Sequence, residues 1–119
     1  MIDLYTWNTP NGRKASIALE EFGLPYTVHP INIGKGEQLK PEFLAISPNN
    51  RIPAIVDHDR NGFSVFEGAA ILSYLTRHYD SEHRFSFTDE DDSSRCEQWV
   101  AWQHGGLVCN AVFFMKDQD

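Results

Sequence analysis

The sequence predicts a small mixed α/β domain, in which a β-α-β unit is followed by a β-β-α unit. Three observations support this fold class: apolar residues alternate over 2–7, they recur at helical spacing over 15–22, and Asn61-Gly62 separates two short apolar runs. Alternation is typical of strands, and Asn-Gly between such runs is a strong hairpin signal. The two units together would form one mixed sheet with helices packed on it.

The first unit is predicted from residue 2 to residue 33. After the first strand, Asn8–Gly12 is a break rich in turn-forming residues. A helix follows, with apolar residues at 15, 18, 19 and 22 on one face and Gly23 as its stop. Tyr26–Ile33 is the second predicted strand. Pro30 lies inside it, which favours a position at the edge of the sheet.

The second unit is predicted from residue 40 to residue 79. Lys40–Ile46 is a short helical or irregular piece, and a polar loop then leads into the strand Ala54–Asp57. A turn at 59–62 connects this strand to the returning strand Phe63–Phe66. Glu67 opens a helix that runs to about Tyr79, with apolar residues at 70, 71, 74 and 75 on one face.

The sequence changes in character after Asp80. We predict a domain at 1–80, a linker at 81–88 and the first helix of an all-α domain at 89–119. Thr88 and the four acidic residues after it resemble a helix N-terminus, where the helix dipole favours negative charge; an acidic partner-binding run is the alternative. Gly105-Gly106 interrupts this helix, and Leu107–Met115 is strongly apolar.

Composition excludes several classes of function. The net charge of −7 argues against nucleic acid and against an anionic membrane surface. No apolar run approaches the roughly 18 residues of a membrane span, and the N-terminus shows no signal-peptide pattern. Cys96 and Cys109 form no disulfide framework, which fits a reducing cytoplasm. The five histidines lack metal-ligand spacing, so we expect no metal site and interpret them as surface or packing residues.

The loop Ser47–Arg51 and the strand after it form the most informative stretch. Two prolines and two asparagines mark a loop, and Pro53 starts a buried strand. At this junction the backbone N–H and C=O of Ile52 have no obvious partner. An ordinary turn is one interpretation; the other is a peptide-like ligand that pairs with Ile52 as a strand would.

Several motifs, taken with their spacing, resemble the glutathione transferase family, and in particular the nu-class enzymes and the relatives of the yeast nitrogen-regulating prion protein. The matching stretches are Thr9–Lys14, Gly34–Gln38, Pro41–Leu44, Ser47–Asp57, Phe66-Glu67 with Ala70-Ile71, and the Trp99–Leu107 region. The resemblance covers most of the chain. It implies a thioredoxin-like fold for 1–80, with the start of a helical domain that would normally continue for about another 100 residues.

The resemblance also implies a glutathione site. It implies a cis bond between Ile52 and Pro53, with the Ile52 backbone paired to the cysteinyl part of glutathione and Arg51 beside it. Glu67 would hold the γ-glutamyl ammonium, and backbone N–H groups at the following helix start would take its carboxylate. Gln38 and Asn50 would contact the remaining polar groups. The family usually has Ser where this chain has Gly68, so one hydroxyl donor is lost.

Activation of the glutathione thiol is expected at the start of the first helix. The loop before that helix contains no Ser or Cys, and we interpret Tyr5 as a packing residue. The Asn11 amide and the Thr9 hydroxyl remain as donors to a thiolate, close to the positive end of the helix. The alternative is that Thr9 and Asn11 only cap the helix; both roles are compatible.

The expected function is therefore glutathione-dependent chemistry. Two reactions use the same thiolate: conjugation to a small electrophile, as in a glutathione transferase, and reduction of a disulfide, as in a disulfide oxidoreductase. Glutathione is the co-substrate, and the resemblance implies a homodimer. The alternatives are a non-catalytic binding or regulatory module, which Gly68 favours, and a truncated fragment that lacks activity.

Overall fold

The structure, a computed structural model, describes residues 1–107 and contains one four-stranded sheet. The strands are β1 (Ile2–Thr6), β2 (Tyr26–Pro30), β3 (Ala54–Asp57) and β4 (Phe63–Phe66). Their order is β2-β1-β3-β4; β1 pairs parallel with β2 and antiparallel with β3, and β3 pairs antiparallel with β4. The predicted mixed sheet of a β-α-β and a β-β-α unit is confirmed.

Within residues 1–107, four α-helices accompany the sheet. They are α1 (Pro10–Glu21), α2 (Pro41–Leu44), α3 (Gly68–Tyr79) and α4 (Glu90–Trp102). A π-helical turn, Gln103–Leu107, continues from α4, and short 3-10 turns lie at Ile33–Lys35, Glu37–Leu39 and His58–Arg60. α1 and α3 contact each other and both contact the sheet, so the thioredoxin-like arrangement expected for 1–80 is present.

The hydrophobic core lies between the sheet and the helices α1 and α3. It consists of nine buried side chains: Ile2, Leu4, Ala15, Ala18, Leu19, Ile55, Ile71, Tyr74 and Leu75. The strand residues come from alternate positions of β1 and from β3, and the helix residues follow the helical spacing of α1 and α3. A buried carboxylate borders this core, since Asp57 Oδ2 accepts hydrogen bonds from Tyr74 (2.8 Å) and Tyr79 (2.6 Å).

Strand β2 is shorter than the sequence predicts. It lies at the edge of the sheet, as Pro30 indicated, but it ends there rather than at Ile33. The reason is Asn32, whose side chain accepts hydrogen bonds from the backbone N–H groups of Gly34 and Lys35 and so begins a 3-10 turn. Side chains of this type compete with strand pairing.

The segment after α3 is held by one carboxylate. Asp80 accepts hydrogen bonds from the N–H groups of Arg84 and Phe85 and from the Ser86 hydroxyl. The Ser86 contact is the main reason that the pKa of Asp80 is lowered. The predicted linker is therefore an ordered connection, although its role as a boundary between two domains stays a prediction.

Helix α4 begins one residue later than Thr88 suggested. Asp89 is its N-cap, and its carboxylate accepts a hydrogen bond from Asp92 N at 2.9 Å. The predicted interruption at Gly105-Gly106 falls within the π-helical turn. Three predicted features lie outside the described residues: Cys109, residues 108–115 of the apolar run and the second part of the predicted domain 89–119.

Residues 1–107 contain neither a membrane-spanning helix nor a cluster of metal-binding side chains. No helix there is long and apolar enough to cross a membrane. Within the same residues, no group of three or more His, Cys, Asp or Glu side chains has a geometry that could hold a metal ion.

Candidate functional site

The candidate residues converge at one end of the sheet because of the strand register. His29, Tyr5, Ala54 and Phe66 form a row across β2, β1, β3 and β4. The row lies at the C-terminal ends of β1, β2 and β4 and at the N-terminal end of β3, so the chain leaves three strands and enters the fourth on the same side. The start of α1, the connection 31–53 and the start of α3 therefore all lead from a single end of the sheet.

The loop before β3 presents the Ile52 backbone at this end. The Ile52–Pro53 peptide bond is cis, as the resemblance implied, and Pro53 is buried. Buried Ser47 shapes the loop, since its hydroxyl donates to Arg51 O at 2.8 Å. Among residues 1–107, no hydrogen bond is made by the backbone N–H or C=O of half-buried Ile52. The interpretation of these groups as available for a ligand remains consistent with the structure.

The start of α1 carries Thr9 and Asn11. The Thr9 side chain accepts a hydrogen bond from Gly12 N at 3.0 Å, so its expected capping role is confirmed. A hydroxyl that accepts one hydrogen bond still has its own proton to donate. Asn11 Oδ1 is buried and has no hydrogen-bond partner within the described part of the chain. Because buried polar atoms are usually paired, this oxygen is suited to accept a hydrogen bond from a ligand, whereas the Nδ2–H groups of the same amide are the ones that can donate.

Gly12 fixes how closely the start of α1 approaches β1. A Cβ atom at this position would lie 2.3 Å from the carbonyl oxygen of Trp7 and 2.5 Å from Thr6 Oγ1. No side chain fits there without moving the helix. The first turn of α1 also contains no acidic residue. The positive end of the helix dipole is therefore held close to the end of the sheet, with no acidic side chain in the helix's own first turn to offset it.

The three residues predicted to make polar contacts, Gln38, Asn50 and Arg51, differ in how enclosed they are. Gln38 lies in a 3-10 turn, and its buried Oε1 has no partner among residues 1–107. Asn50 is exposed with φ at 50°, in the left-handed region that asparagine tolerates. Arg51 is exposed, and its backbone rather than its side chain is held by Ser47. The structure thus brings all three to the site's loops, with Gln38 the most enclosed.

Glu67 occupies a strained position immediately before α3. Its φ is 75° and its ψ is 121°, a region that non-glycine residues rarely adopt, and this strain costs on the order of 1–3 kcal/mol. Its side chain does not cap α3, although it is the N-cap residue. Strain of this kind concentrates at functional sites. The helix behind it exposes free backbone N–H groups in its first turn, as every helix does.

Sequence reasoning missed one contact of Glu67. His104 Nε2 lies 2.8 Å from Glu67 Oε2, and both side chains are partly buried. The interpretation of the five histidines as surface or packing residues did not include this contact of His104. His29 and His58 pair with Asp3, at 3.0 and 2.7 Å, and lower its pKa. Nothing in residue spacing could have indicated the His104 contact, since it joins positions 37 apart through the π-helical turn.

Tyr5 is a packing residue, as predicted. Its ring stacks on His29 with centroids 4.8 Å apart and meets Phe43 at 6.2 Å. Burial raises the pKa of Tyr5, and the negative charge of Asp3 raises it further. These packing contacts support the interpretation of Tyr5 as a packing residue, and the candidates for activating a ligand thiol remain Thr9 and Asn11.

The site therefore combines four kinds of group at one sheet end. These are an open backbone position at Ile52, amide and hydroxyl donors at the start of α1, a carboxylate at Glu67 and the start of a second helix. Together they suit a small peptide-like ligand that carries an ammonium, a carboxylate and a group that can become an anion.

Comparison with known proteins shows which family this chain resembles. Residues 9–78 match the family model described as "Glutathione S-transferase, N-terminal domain". The curated protein "Disulfide-bond oxidoreductase YfcG" of Escherichia coli is 47% identical over 113 residues, which cover 90% of this chain and 50% of that protein.

Solved structures give the same result. The glutathione transferase URE2P5 of Phanerochaete chrysosporium superposes with a TM-score of 0.86 at 40% identity, over 88% of this chain and 46% of that one. URE2P8 of the same organism, solved with oxidized glutathione, also gives 0.86 at 32% identity, over 89% and 49% of the two chains. The chain spans about half the length of these relatives.

Proposed function

Because the chain belongs to the glutathione S-transferase N-terminal domain family, we propose that it binds glutathione and uses its thiol as a thiolate, with disulfide reduction as the main reaction and conjugation to a small electrophile as the second. The observation that carries the proposal is the open Ile52 backbone at the same sheet end as the start of α1. A similar protein is named a disulfide-bond oxidoreductase, which favours the first reaction.

The proposed binding mode assigns each group of the site. The N–H and C=O of Ile52 pair with the cysteinyl residue of glutathione, with Pro53 and Arg51 on either side in the loop. Glu67 holds the γ-glutamyl ammonium, and the N–H groups at the start of α3, beginning with Gly68, hold the γ-glutamyl carboxylate. Gln38 and Asn50 contact the remaining polar groups. Gln38 is the better supported of these two, because its buried oxygen has no partner within the described residues.

Thr9 and Asn11 are the proposed catalytic residues. The Thr9 hydroxyl and the Asn11 amide each have a proton to donate, and the positive end of α1 adds to their effect. Donors and positive charge favour the thiolate form and so lower the pKa of the bound thiol below its ordinary value of about 8.5. No cysteine of the protein takes part.

Disulfide reduction then proceeds in two exchanges. The bound glutathione thiolate attacks one sulfur of the substrate disulfide; a mixed disulfide forms, and the other sulfur leaves as a thiolate that takes up a proton. The thiolate of a second glutathione attacks the mixed disulfide, forming oxidised glutathione and releasing the second substrate thiol. Two glutathione molecules are oxidised for each disulfide reduced, so the electrons balance.

Three further features belong to the proposal. The division at 81–88 separates the glutathione domain, residues 1–80, from a helical domain that begins at 89 and supplies apolar surface for the co-substrate. Trp99 and Trp102 are exposed on α4 and suit that purpose. The assembly is a homodimer, and the compartment is the cytoplasm, where thiols are kept reduced.

Retention on glutathione-agarose, together with turnover of hydroxyethyl disulfide, tests the proposal. We expect the protein to be retained and to reduce the disulfide. Asn11→Ala should still be retained but should lose at least about tenfold in turnover, because one donor to the thiolate is removed. Asn8→Ala is the matched control, since Asn8 is exposed and its side chain pairs with Arg13 instead.

Three results would count against parts of the proposal. No retention would remove both the binding and the catalytic role. Retention without turnover would leave a non-catalytic glutathione-binding module, which is the alternative function. Equal turnover in Asn11→Ala and Asn8→Ala would remove Asn11 from the catalytic assignment.

A further inference from the structure

His104 is placed at the γ-glutamyl end of the candidate site by one hydrogen bond and by the position of its ring beside Gly68. Its Nε2 lies 2.8 Å from Glu67 Oε2. Its ring also lies over Gly68, because a Cβ atom on Gly68 would be 3.6 Å from His104 Cε1 and 3.7 Å from Nδ1. One imidazole therefore pairs with the carboxylate proposed to hold the ammonium and lies next to the space that a side chain at position 68 would enter.

The absence of a side chain at Gly68 matters for this arrangement. Gly68 is buried, and the imidazole approaches the space that a side chain of residue 68 would begin to fill. A Cβ alone would be in ordinary contact, but any atom beyond it would compete with the imidazole for the space. Gly68 and His104 thus form a matched pair, in which a small residue at the helix start admits a ring from the end of α4.

The backbone around His104 holds the ring in place. His104 lies in the π-helical turn Gln103–Leu107, and such turns are frequent at functional sites because they redirect side chains out of helical register. The neighbouring Gln103 accepts a hydrogen bond from Lys14 of α1 and donates one to Val100 O at 2.8 Å. Gln103 therefore connects the end of α4 to α1, and the adjacent His104 connects it to Glu67, the residue before α3.

We propose that His104 is a positioning residue for the γ-glutamyl end of glutathione, holding the Glu67 carboxylate in the orientation that receives the ammonium. This rests on the proposed function. Nε2–H donates to Oε2, which leaves Oε1 for the ligand. Without this contact, Glu67 would have to lose side-chain freedom when the ligand binds, and affinity would fall.

Calorimetric titration with glutathione, using three variants of His104, tests the role. His104→Leu and His104→Ala remove the donor, whereas His104→Gln keeps an N–H that can reach Glu67. We expect the first two to weaken glutathione binding about three- to tenfold, the effect of one lost hydrogen bond, and His104→Gln to recover most of it. His78→Leu is the matched control, because His78 is exposed and contacts Tyr74 on α3 instead.

Two further arms separate a positioning role from a merely structural one. In a Glu67→Gln background, His104→Leu should cause little additional loss, because the two residues act together. Glutaryl-cysteinylglycine, a glutathione analogue that lacks the α-amino group, should bind equally to the wild type and to His104→Leu. Circular dichroism and urea unfolding of each variant check that the fold is kept.

The possible outcomes are distinguishable. If the wild type does not bind glutathione, the proposed function itself is overturned. If the wild type binds and His104→Leu binds equally well, the positioning role is overturned and the proposed function stands. Equal losses for glutathione and for the analogue lacking the amino group would also overturn it, since they would show a general effect on the fold. Agreement between His104→Leu and His104→Ala excludes poor packing of either side chain as the cause.

Discussion

Helices α3 and α4 have similar lengths, 12 and 13 residues, but they are held in place in different ways. α3 buries Gly68, Ile71, Tyr74 and Leu75 against the sheet and α1. α4 has no buried residue among those described, and its Trp99 and Trp102 are 66% and 53% exposed. Core packing positions α3, whereas polar contacts hold the C-terminal end of α4.

This difference shows how the site is assembled. Groups that depend on the sheet and on α1 and α3, namely Thr9, Asn11, the Ile52 backbone and Glu67, are fixed by a closed hydrophobic core. Among the described residues, the contacts of the end of α4 with them include those of Lys14 with Gln103 and of Glu67 with His104. A hydrogen bond to a charged group contributes about 1.5–3 kcal/mol, and partial exposure to solvent reduces this. We therefore expect the site to tolerate changes on α4 far better than changes in the core.

The largest expected effect separates the two helices directly. Ile71→Ala removes a side chain that is fully buried and should lower the free energy of unfolding by about 2–5 kcal/mol. Trp99→Ala removes a larger side chain that contacts Trp102, yet it should cost about 1 kcal/mol or less. Urea unfolding measures both. Losses of equal size would show that α4 is packed as tightly as α3.

A smaller effect is expected from two glycines, one in each region. Gly12→Ala places a Cβ 2.3 Å from Trp7 O, so the start of α1 must move; we expect a loss of about 1–3 kcal/mol in the free energy of unfolding together with weaker glutathione binding. A Cβ on Gly105 meets no atom within 4 Å, so Gly105→Ala should leave both quantities nearly unchanged. The same urea and calorimetric measurements apply. A tolerated Gly12→Ala would contradict the close approach of α1 to β1.

The smallest expected effect concerns the hydrogen bond from Tyr74 of α3 to Asp57 of β3. Burial, followed by the hydrogen bond to Asp57, raises the pKa of Tyr74 from 10.0 to about 12. Between these two values the unfolded chain loses the Tyr74 proton while the folded chain keeps it, so stability should fall as pH rises through this window. Tyr74→Phe should lower the free energy of unfolding by about 1 kcal/mol at neutral pH. It should also make the fall in stability with rising pH shallower. Urea unfolding across the alkaline pH range measures this dependence. If the fall in stability with pH were equally steep in Tyr74→Phe, its attribution to Tyr74 would be refuted.

The sequence predicted the parts of the fold that rest on local chemistry. The strands Ala54–Asp57 and Phe63–Phe66 match the prediction at both ends, because Pro53 and Asn61-Gly62 delimit them. Thr9 and Gly23 mark the ends of α1 in the same way, and the left-handed φ of Gly23 ends it. The end of β2 was misplaced because the Asn32 side chain decides it, and side-chain turns compete closely with strand pairing.

The candidate site was predictable only in part. The motifs that resemble glutathione transferases pointed to Thr9, Asn11, Ile52 and Glu67, and the strand register brings the segments that carry them to one end of the sheet. The roles of these residues stay predictions. Ser47 went without a role because its hydrogen bonds to Arg51 depend on the loop's shape. His104 was missed because its contact with Glu67 depends on a π-helical turn, which has no reliable sequence signal.

The proposed function depends on the start of α1, which we propose converts the thiol of bound glutathione to a thiolate. The direct measurement is the ultraviolet absorbance of the thiolate as the glutathione complex is titrated with base. We predict that the bound thiol titrates well below the ordinary value of about 8.5, and that Asn11→Ala and Thr9→Ala each return it towards that value. A bound thiol that titrates like free glutathione, or one that is unaffected by both substitutions, would contradict the claim.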